Sequence, residues 1–141
     1  MGIWQAIMMI LLISGLMLVV LKYASISAKH TADSYVKEQA ELYLNSVIEK
    51  ALLDISNFDR SNGKCYSGDN YNEPKDRGKE FTASVKIEKY YLYNETCNNN
   101  VDYTPITTSE SHGMVIMQVE VNATVDGVLT TRLLRRTLQR P

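Results

Sequence analysis

The stretch IWQAIMMILLISGLMLVVLKY, residues 3–23, decides the fold, because it has no charged side chain before Lys22. About twenty consecutive apolar residues in a helix span the roughly 30 Å hydrocarbon core of a bilayer. The chain then continues into KEQAELYLNSVIEKALLDI, residues 37–55, in which apolar residues recur at helical spacing. We therefore predict one continuous helix from about residue 3 to about residue 57, on the order of 80 Å long.

The second half of that helix is predicted to carry a single apolar stripe. No proline or glycine occurs between Lys22 and Asn62. Apolar residues step by three and four positions along one face: Val36, Ala40, Tyr43, Val47, Ala51, Ile55 and Phe58. A secretory signal peptide would have a shorter apolar region and a basic leader. The segment KYASISAKH, residues 22–30, offers only weak cleavage candidates, so cleavage there is the less favoured alternative.

The rest of the chain predicts a small antiparallel sheet. Three segments are predicted as strands, namely FTASVKIEKYYLY (81–93), GMVIMQVEVNATV (113–125) and VLTTRLLRRTLQRP (128–141). The first two alternate apolar and polar residues, and Asp126-Gly127 is a two-residue hairpin signal. The polar segments 59–80 and 94–112 are predicted as loops. We therefore predict an α+β fold, in which a long N-terminal helix packs on about three strands.

Length and charge limit what the chain can be. At 141 residues it has room for one ordinary domain beside the apolar run. We predict a hydrophobic transmembrane or filament-core segment over residues 1–23 and an extracytoplasmic α+β domain over residues 24–141. The net charge of -1 and the pI near 6.1 disfavour a nucleic-acid partner, which normally requires a basic face.

Two cysteines, Cys65 and Cys97, lie in the polar part of the chain. They have neither a close paired spacing nor histidines around them, which disfavours zinc and dithiol redox sites. An even count beyond a membrane segment fits an oxidising compartment, so we predict one disulfide. Such a loop closure stabilises a fold by roughly 3 to 4 kcal/mol in the chain-entropy model. Two unpaired buried thiols in a cytosolic domain are the alternative.

This order of parts resembles the type IV pilin and type II secretion pseudopilin superfamily. The segments KEQAELYLNSVIEKALLDI and LLRRTLQRP, residues 37–55 and 133–141, also look similar to uncharacterised pilin-like proteins of Campylobacter-type bacteria. The resemblance implies a bacterial inner-membrane protein with one span and a periplasmic C-terminal domain, or a subunit of a cell-surface or periplasmic filament. The implied partners are other pilin or pseudopilin subunits, and the inner membrane before assembly.

The N-terminus departs from the pattern of that superfamily. There, a leader is cut after a glycine, the new N-terminus is usually a methylated Phe, and a Glu at the fifth mature position neutralises a neighbour's terminal amine. Here the fifth residue is Gln5 counted from Met1, or Ile7 counted after Gly2. Either a leader is missing, or the chain is a minor, tip-type subunit that dispenses with the acid. We favour the minor subunit.

Four residues of the apolar run are candidates for helix assembly: Trp4, Gln5, Ser14 and Gly15. In similar pilins the helix loosens inside a filament where Ser14-Gly15 falls here, although glycine also serves close packing in membrane helices. Gln5 could form a hydrogen bond with the backbone or the terminal amine of a neighbouring subunit, in place of the usual ion pair. The alternative is that it lies at the membrane interface beside Trp4.

Two further groups are candidates for a subunit interface. The first is a basic C-terminal cluster of Arg132, Arg135, Arg136 and Arg140. Such charges could bind an acidic partner or another subunit, or could protect an edge strand from aggregation. The second is a set of tyrosines around the end of the first strand: Tyr90, Tyr91, Tyr93 and Tyr103. Aromatic residues in a sheet more commonly serve packing.

An enzyme is the least favoured class. No nucleophile motif, phosphate loop, metal-ligand set or close acidic pair is visible, and His30 and His112 have no obvious Cys or Ser partner. We expect no cofactor and no small-molecule substrate. The favoured function is a structural filament subunit; the alternative is a membrane-anchored extracytoplasmic binding domain that forms no filament.

Overall fold

The computed structural model describes residues 2–60, 62–76, 78–98, 101–107 and 113–140. Its elements are, in chain order, α1 (Gly2–Asn57), β1 (Asn70–Asn72), β2 (Lys79–Tyr93), β3 (Asp102–Ile106), β4 (Met114–Val125) and β5 (Val128–Gln139). The predicted α+β class is confirmed. The chain divides into two compact units, Met1–Tyr35 and Val36–Pro141. The end of the apolar run at residue 23 falls within the first unit.

α1 is continuous from Gly2 to Asn57, as the sequence predicts. Leucine, methionine, isoleucine and valine surround Gly15, so one glycine does not interrupt the first part of the helix. The helix ends before a polar segment in which Gly63 adopts a φ of 66° and donates its N–H to the Arg60 carbonyl at 2.9 Å. That positive φ is one that glycine adopts without a steric penalty.

The sheet is mixed. β2 pairs antiparallel with β4, and β4 pairs antiparallel with β5. The other edge of β2 is shared by two short strands, of which β1 is antiparallel to β2 and β3 is parallel to it. The sheet therefore has β5 along one edge, and β1 with β3 along the opposite edge.

The sequence prediction of about three strands was too low, because β1 and β3 lie in segments predicted as loops. β1 has only three residues, and β3 contains Pro105, which lacks a backbone donor. Neither strand carries an alternation long enough to predict a half-buried strand, because β1 has three residues and β3 has five. The three longer strands, β2, β4 and β5, are confirmed.

The core of the second unit lies between α1 and one face of the sheet, here called the inner face. From the helix it receives Val36, Ala40, Leu44, Val47, Ile48, Ala51 and Ile55. From β4 it receives Val115, Met117, Val119, Val121 and Ala123, each fully buried. Five of the seven residues of the predicted stripe are buried. Tyr43 and Phe58 are only half-buried, whereas Leu44 and Ile48, outside that stripe, are buried.

A bulge in β2 keeps its apolar side chains on the inner face. Ile87 pairs with Met117 and Lys89 with Ile116, so Glu88 is an extra residue. Before the bulge the odd-numbered residues face the core; after it the even-numbered residues Tyr90 and Leu92 do. One inserted residue therefore shifts the two-residue period by one position.

The predicted hairpin is confirmed at Asp126-Gly127, which connects β4 to β5. Both residues have positive φ, 51° and 81° respectively, and Val125 pairs with Val128 across the turn. Positive φ at both central residues is the requirement of a type I′ turn, which favours an Asp-Gly or Asn-Gly sequence. Together these elements form a pilin-like layout: a long N-terminal helix, apolar over its first part, whose later part packs on a largely antiparallel sheet.

We expect Gly68→Ala to destabilise the second unit far more than Gly127→Ala. Both glycines have positive φ, but a Cβ at Gly68 would collide with the backbone carbonyl of Val85, whereas one at Gly127 would meet nothing within 4 Å. The open site should lose about 1 kcal/mol of unfolding free energy, from backbone strain alone. The crowded site should lose more than about 2 kcal/mol. Chemical unfolding of the detergent-solubilised full chain measures both, and equal losses would contradict the close approach.

Candidate assembly surfaces

The first part of α1 is an exposed apolar surface. Every described side chain from residue 2 to residue 35 is exposed, including Trp4 and Leu12, which are 78% and 66% exposed. α1 contains a stretch long and apolar enough to cross a membrane. A soluble monomer rarely exposes a contiguous apolar surface of this extent, so a membrane or another protein is expected to cover it.

The four predicted assembly residues all lie on this surface. The hydroxyl of Ser14 donates a hydrogen bond to the carbonyl of Leu11 at 3.0 Å within the helix. A Cβ at Gly15 would meet nothing within 4 Å, so that face of the helix is open. Gln5 is exposed beside Trp4. The helix is regular at Ser14-Gly15, and loosening there inside a filament stays a prediction about the assembled state.

The four predicted arginines belong to the edge strand β5 and to the residue after it, but they do not share one face. Arg132 donates to Glu120 at 2.8 Å and Arg136 to Glu88 at 2.6 Å, both on the outer face of the sheet. Arg135 lies on the inner face, where its guanidinium donates to the side-chain oxygen of Asn45 at 2.8 Å. The hydrogen bond from Arg132 lowers the pKa of the Glu120 carboxyl below its usual value.

β5 exposes apolar side chains as well as charge. Four of them are more than half exposed: Val128, Leu129, Leu134 and Leu138. Apolar residues on an edge strand favour pairing with another chain, and neighbouring charges limit uncontrolled pairing. The strand therefore combines an open edge with charged and apolar side chains, which fits either predicted role of the arginines.

The predicted tyrosines are divided between the core and the surface. Tyr90 is 2% exposed, and its hydroxyl donates to the carbonyl of Tyr66 at 2.8 Å. Tyr91 lies on the outer face with the ammonium of Lys89 at 5.7 Å from its ring centre. Tyr103 is 38% exposed on β3. Of this set, Tyr90 serves packing, and Tyr103 remains accessible to a partner.

A polar network that sequence reasoning missed joins α1 to the loop around β1. The Tyr71 hydroxyl donates to the Asp54 carboxylate at 2.6 Å and accepts from Tyr66 at 2.8 Å. Tyr43 donates to the Tyr71 carbonyl at 3.1 Å, and the Lys50 ammonium lies 4.7 Å from the Tyr71 ring centre. The only sequence signal was a loop unusually rich in tyrosine, YSGDNYN, residues 66–72.

The disulfide is confirmed, and the alternative of two free thiols is wrong. Cys65 and Cys97 are bonded, with their Cα atoms 5.4 Å apart and a sequence separation of 32. Both are buried, at 3% and 8% exposure. The bond joins the loop after α1 to the segment after β2, so it fixes the same loop that the tyrosine network holds against the helix.

No catalytic role is predicted for either histidine of the chain. His30 is exposed on α1, and His112 lies outside the described residues. Among the residues that the structure describes, no three His, Cys, Asp or Glu side chains come close enough together to hold a metal ion.

No protein-family model, curated protein or solved structure matches this chain. Two surfaces of the molecule bear on its function: the apolar surface of α1, and the edge of the sheet at β5.

We expect Tyr71→Phe to lower the unfolding free energy by about 1 to 3 kcal/mol, because it leaves the Asp54 carboxylate and the Tyr66 hydroxyl without their shared partner. Tyr103→Phe removes the same atom from an exposed ring and should change the unfolding free energy by less than about 0.5 kcal/mol. Urea unfolding of the full chain in detergent measures both. A double-mutant cycle with Asp54→Ala isolates the Tyr71–Asp54 pair, and a coupling near zero would contradict the network.

Stability should decrease at alkaline pH. Burial raises the pKa of Tyr90 to about 12 from the ordinary value of 10.0, and burial with the hydrogen bonds to Asp54 and Tyr66 raises that of Tyr71. A raised pKa means that the folded state favours the neutral phenol. Its stabilisation is therefore complete below pH 10 and is lost as the pH rises toward about 12. Unfolding free energies between these pH values should fall less in Tyr71→Phe/Tyr90→Phe; equal falls would contradict this assignment.

Proposed function

We propose that this chain is a structural subunit of a type IV pilus-like or type II secretion pseudopilus filament, a minor pilin that assembles through its N-terminal helix. The observation that supports this most is a contrast along α1. No described side chain before Val36 is buried, whereas seven residues from Val36 to Ile55 enter the core of the second unit. One helix thus has a part made for the fold and a part made for other surroundings.

The surroundings of the first part follow from its chemistry. A bilayer covers an all-round apolar helix before assembly, and the apolar helices of neighbouring subunits cover it afterwards. Such an exchange requires no change in the side chains exposed, because lipid and apolar protein both accept them. We propose that the partners are equivalent helices of other pilin or pseudopilin subunits.

The disulfide supports a location for the second unit. Disulfides persist in oxidising compartments such as the bacterial periplasm and the cell surface. We therefore propose a single-pass protein of the inner membrane whose second unit lies in the periplasm, and which then enters a periplasmic or cell-surface filament.

A second candidate function is a membrane-anchored extracytoplasmic binding domain. One observation favours it: the first turn of α1 contains no acidic residue. The Gln5 amide is neutral, so it cannot neutralise a neighbour's terminal amine as a carboxylate would. A helix that serves only as an anchor has no need for that acid.

Two measurements on the protein from its native host separate the two functions. The filament proposal expects a cut and methylated N-terminus in the intact mass, two hydrogens missing for the Cys65–Cys97 bond, and the chain in filaments sheared from the cells. Leu12→Arg should remove it from the sheared filaments, because a charge in the apolar run costs roughly 2.5 to 3.5 kcal/mol in a membrane helix.

Leu53→Arg is the matched control, because Leu53 is an exposed leucine of the same helix, 62% exposed, beyond the apolar run. It should leave filament incorporation unchanged. An unprocessed N-terminus, with the wild-type chain wholly in the membrane fraction, would overturn the filament proposal and support the anchored binding domain.

A further inference from the structure

The two edges of the sheet carry opposite charge. We call Arg132, Arg135, Arg136 and Arg140 the arginine edge; no aspartate or glutamate occurs from Val128 to Arg140. We call Asp69, Glu73 and Asp102 the carboxylate edge; they flank or belong to β1 and β3 on the opposite side of the sheet. No lysine or arginine occurs in residues 69–73 or 101–107. The net charge of -1 conceals this separation.

Among the described residues, half of the arginine edge has no carboxylate partner. Arg132 and Arg136 are paired with glutamates of the outer face. Arg135 contacts the neutral amide of Asn45. Arg140 is exposed after the end of β5, and no described carboxylate lies within ion-pair distance of Arg135 or Arg140. These two guanidinium groups are available to carboxylates of another molecule.

The carboxylate edge is likewise available. Asp69, Glu73 and Asp102 are exposed, and none forms an ion pair with a described cation. The one hydrogen bond at the Asp69 carboxylate comes from the adjacent Asn70 N–H, at 2.7 Å. Glu73 borders a groove whose other walls are Gln39, Leu42, Tyr43, Ser46 and Phe81. Apolar and aromatic walls beside a carboxylate suit the stem and head of an arginine side chain.

One pair of charges, one from each edge, matches both in height along the strands and in the face that it occupies. The Asp69 carbonyl accepts a hydrogen bond from the Val85 N–H of β2 at 2.9 Å. Val85 pairs with Val119 of β4, which pairs in turn with Arg135 of β5. Asp69 is two residues from the buried Tyr71, so it shares the inner face with Arg135. Asp69 and Arg135 thus lie at the same level on the same face.

The second pair, Asp102 and Arg140, lies on the outer face. Asp102 of β3 pairs with Lys89 of β2. Lys89 pairs with Ile116 of β4, and Ile116 pairs with Leu138 of β5. Asp102 and Leu138 therefore lie at the same level on opposite edges of the sheet. Arg140 follows Leu138 by two residues, which is about 7 Å along a strand and returns to the same face. A long, flexible arginine side chain can cover that offset. A neighbouring copy placed beside the sheet edge in the same orientation would therefore meet two complementary charge pairs.

We propose that the arginine edge of one copy of this chain binds the carboxylate edge of the next copy. This rests on the proposed filament function and names the surfaces through which the second units of neighbouring subunits touch. A two-fold contact between two β5 strands is disfavoured, because it would bring together the arginines of both copies. A head-to-tail contact between unlike edges leaves one unpaired edge at each end of a pair, so further copies can add to it, as a filament requires.

The test uses the full chain in detergent micelles and sedimentation velocity at low ionic strength. Arg135→Glu/Arg140→Glu reverses one edge and leaves both intrachain ion pairs of β5 intact. Asp69→Lys/Asp102→Lys reverses the other edge. Lys37→Glu/Lys64→Glu is the control, with the same change in charge as the first variant at exposed lysines on neither edge. Circular dichroism and thermal unfolding confirm that each variant folds.

The expected result is self-association of the wild type and of the control, and association roughly tenfold or more weaker for each edge variant alone. An equimolar mixture of the two edge variants should recover association, because the reversed edge of one then complements the reversed edge of the other. A chain that carries both reversals should also associate. High salt should weaken every one of these contacts, since exposed charges are screened over about 10 Å at 0.1 M.

Any one of the following results would overturn the inference. If the edge variants associate as strongly as the wild type, the contact runs through the apolar helix alone, and the filament proposal stands without this interface. If only the arginine reversal weakens association, or if the mixture fails to recover it, the arginine edge has a different partner. A wild-type chain that stays monomeric at every concentration would count against both the interface and the filament proposal.

Discussion

The packing of residues 36–55 of α1 on the inner face of the sheet is the interaction on which the rest of the structure depends. It buries seven helical side chains against β2 and β4, and at about 25 cal/mol per Å² of apolar surface such a contact dominates the stability of a unit this small. It also fixes which helix surface remains available. The sheet covers one stripe of the helix, so everything apolar before Val36 must be covered by something other than this sheet. Under the filament proposal, fold and assembly are two uses of one continuous helix.

The helix–sheet contact is held by polar interactions at its rim. Tyr71, Tyr66 and Asp54 connect the loop around β1 to the helix, and the Cys65–Cys97 bond ties the same loop to the segment after β2. A loop of this composition, rich in asparagine, glycine and charge, has little apolar surface to hold it in place. The disulfide and the tyrosine hydroxyls supply the restraint that burial does not. Because β1 belongs to this loop, the position of the carboxylate edge depends on the same restraints.

The sequence predicted the parts of the fold whose physical signal is periodic. The helix from about residue 3 to 57, β4, the Asp126-Gly127 turn and the disulfide were predictable, because each depends on local spacing or on a specific residue type. β1 and β3 were not predictable, because a short edge strand forms where a partner strand has an open edge. Its own residues need no alternating pattern. The Tyr71–Asp54 bond joins residues 17 apart in the chain across the core margin, and no local pattern encodes that contact. Among the candidate site residues, the arginines were predicted as a cluster. Their division between the two faces of the sheet follows from the register of β5 with β4. The sequence did not reveal that register, because apolar and polar residues alternate poorly in β5.

That division changes what the arginines can do. If all four arginines lay on one face, the neighbouring glutamates would neutralise one patch of positive charge. The arginines would then serve only to protect the edge strand from aggregation. Instead, Arg132 and Arg136 form ion pairs with Glu120 and Glu88, respectively. Arg135 and Arg140 then carry positive charge at two heights along the direction of β5, one on each face of the sheet. A single ion pair on a surface contributes little to binding. Two pairs at a fixed separation on one sheet edge add specificity, because a neighbour that moves along the strand shortens one pair only by lengthening the other. In the filament proposed above, weak charges on the sheet edge would therefore set the register of neighbouring copies, and the apolar helix would supply most of the affinity.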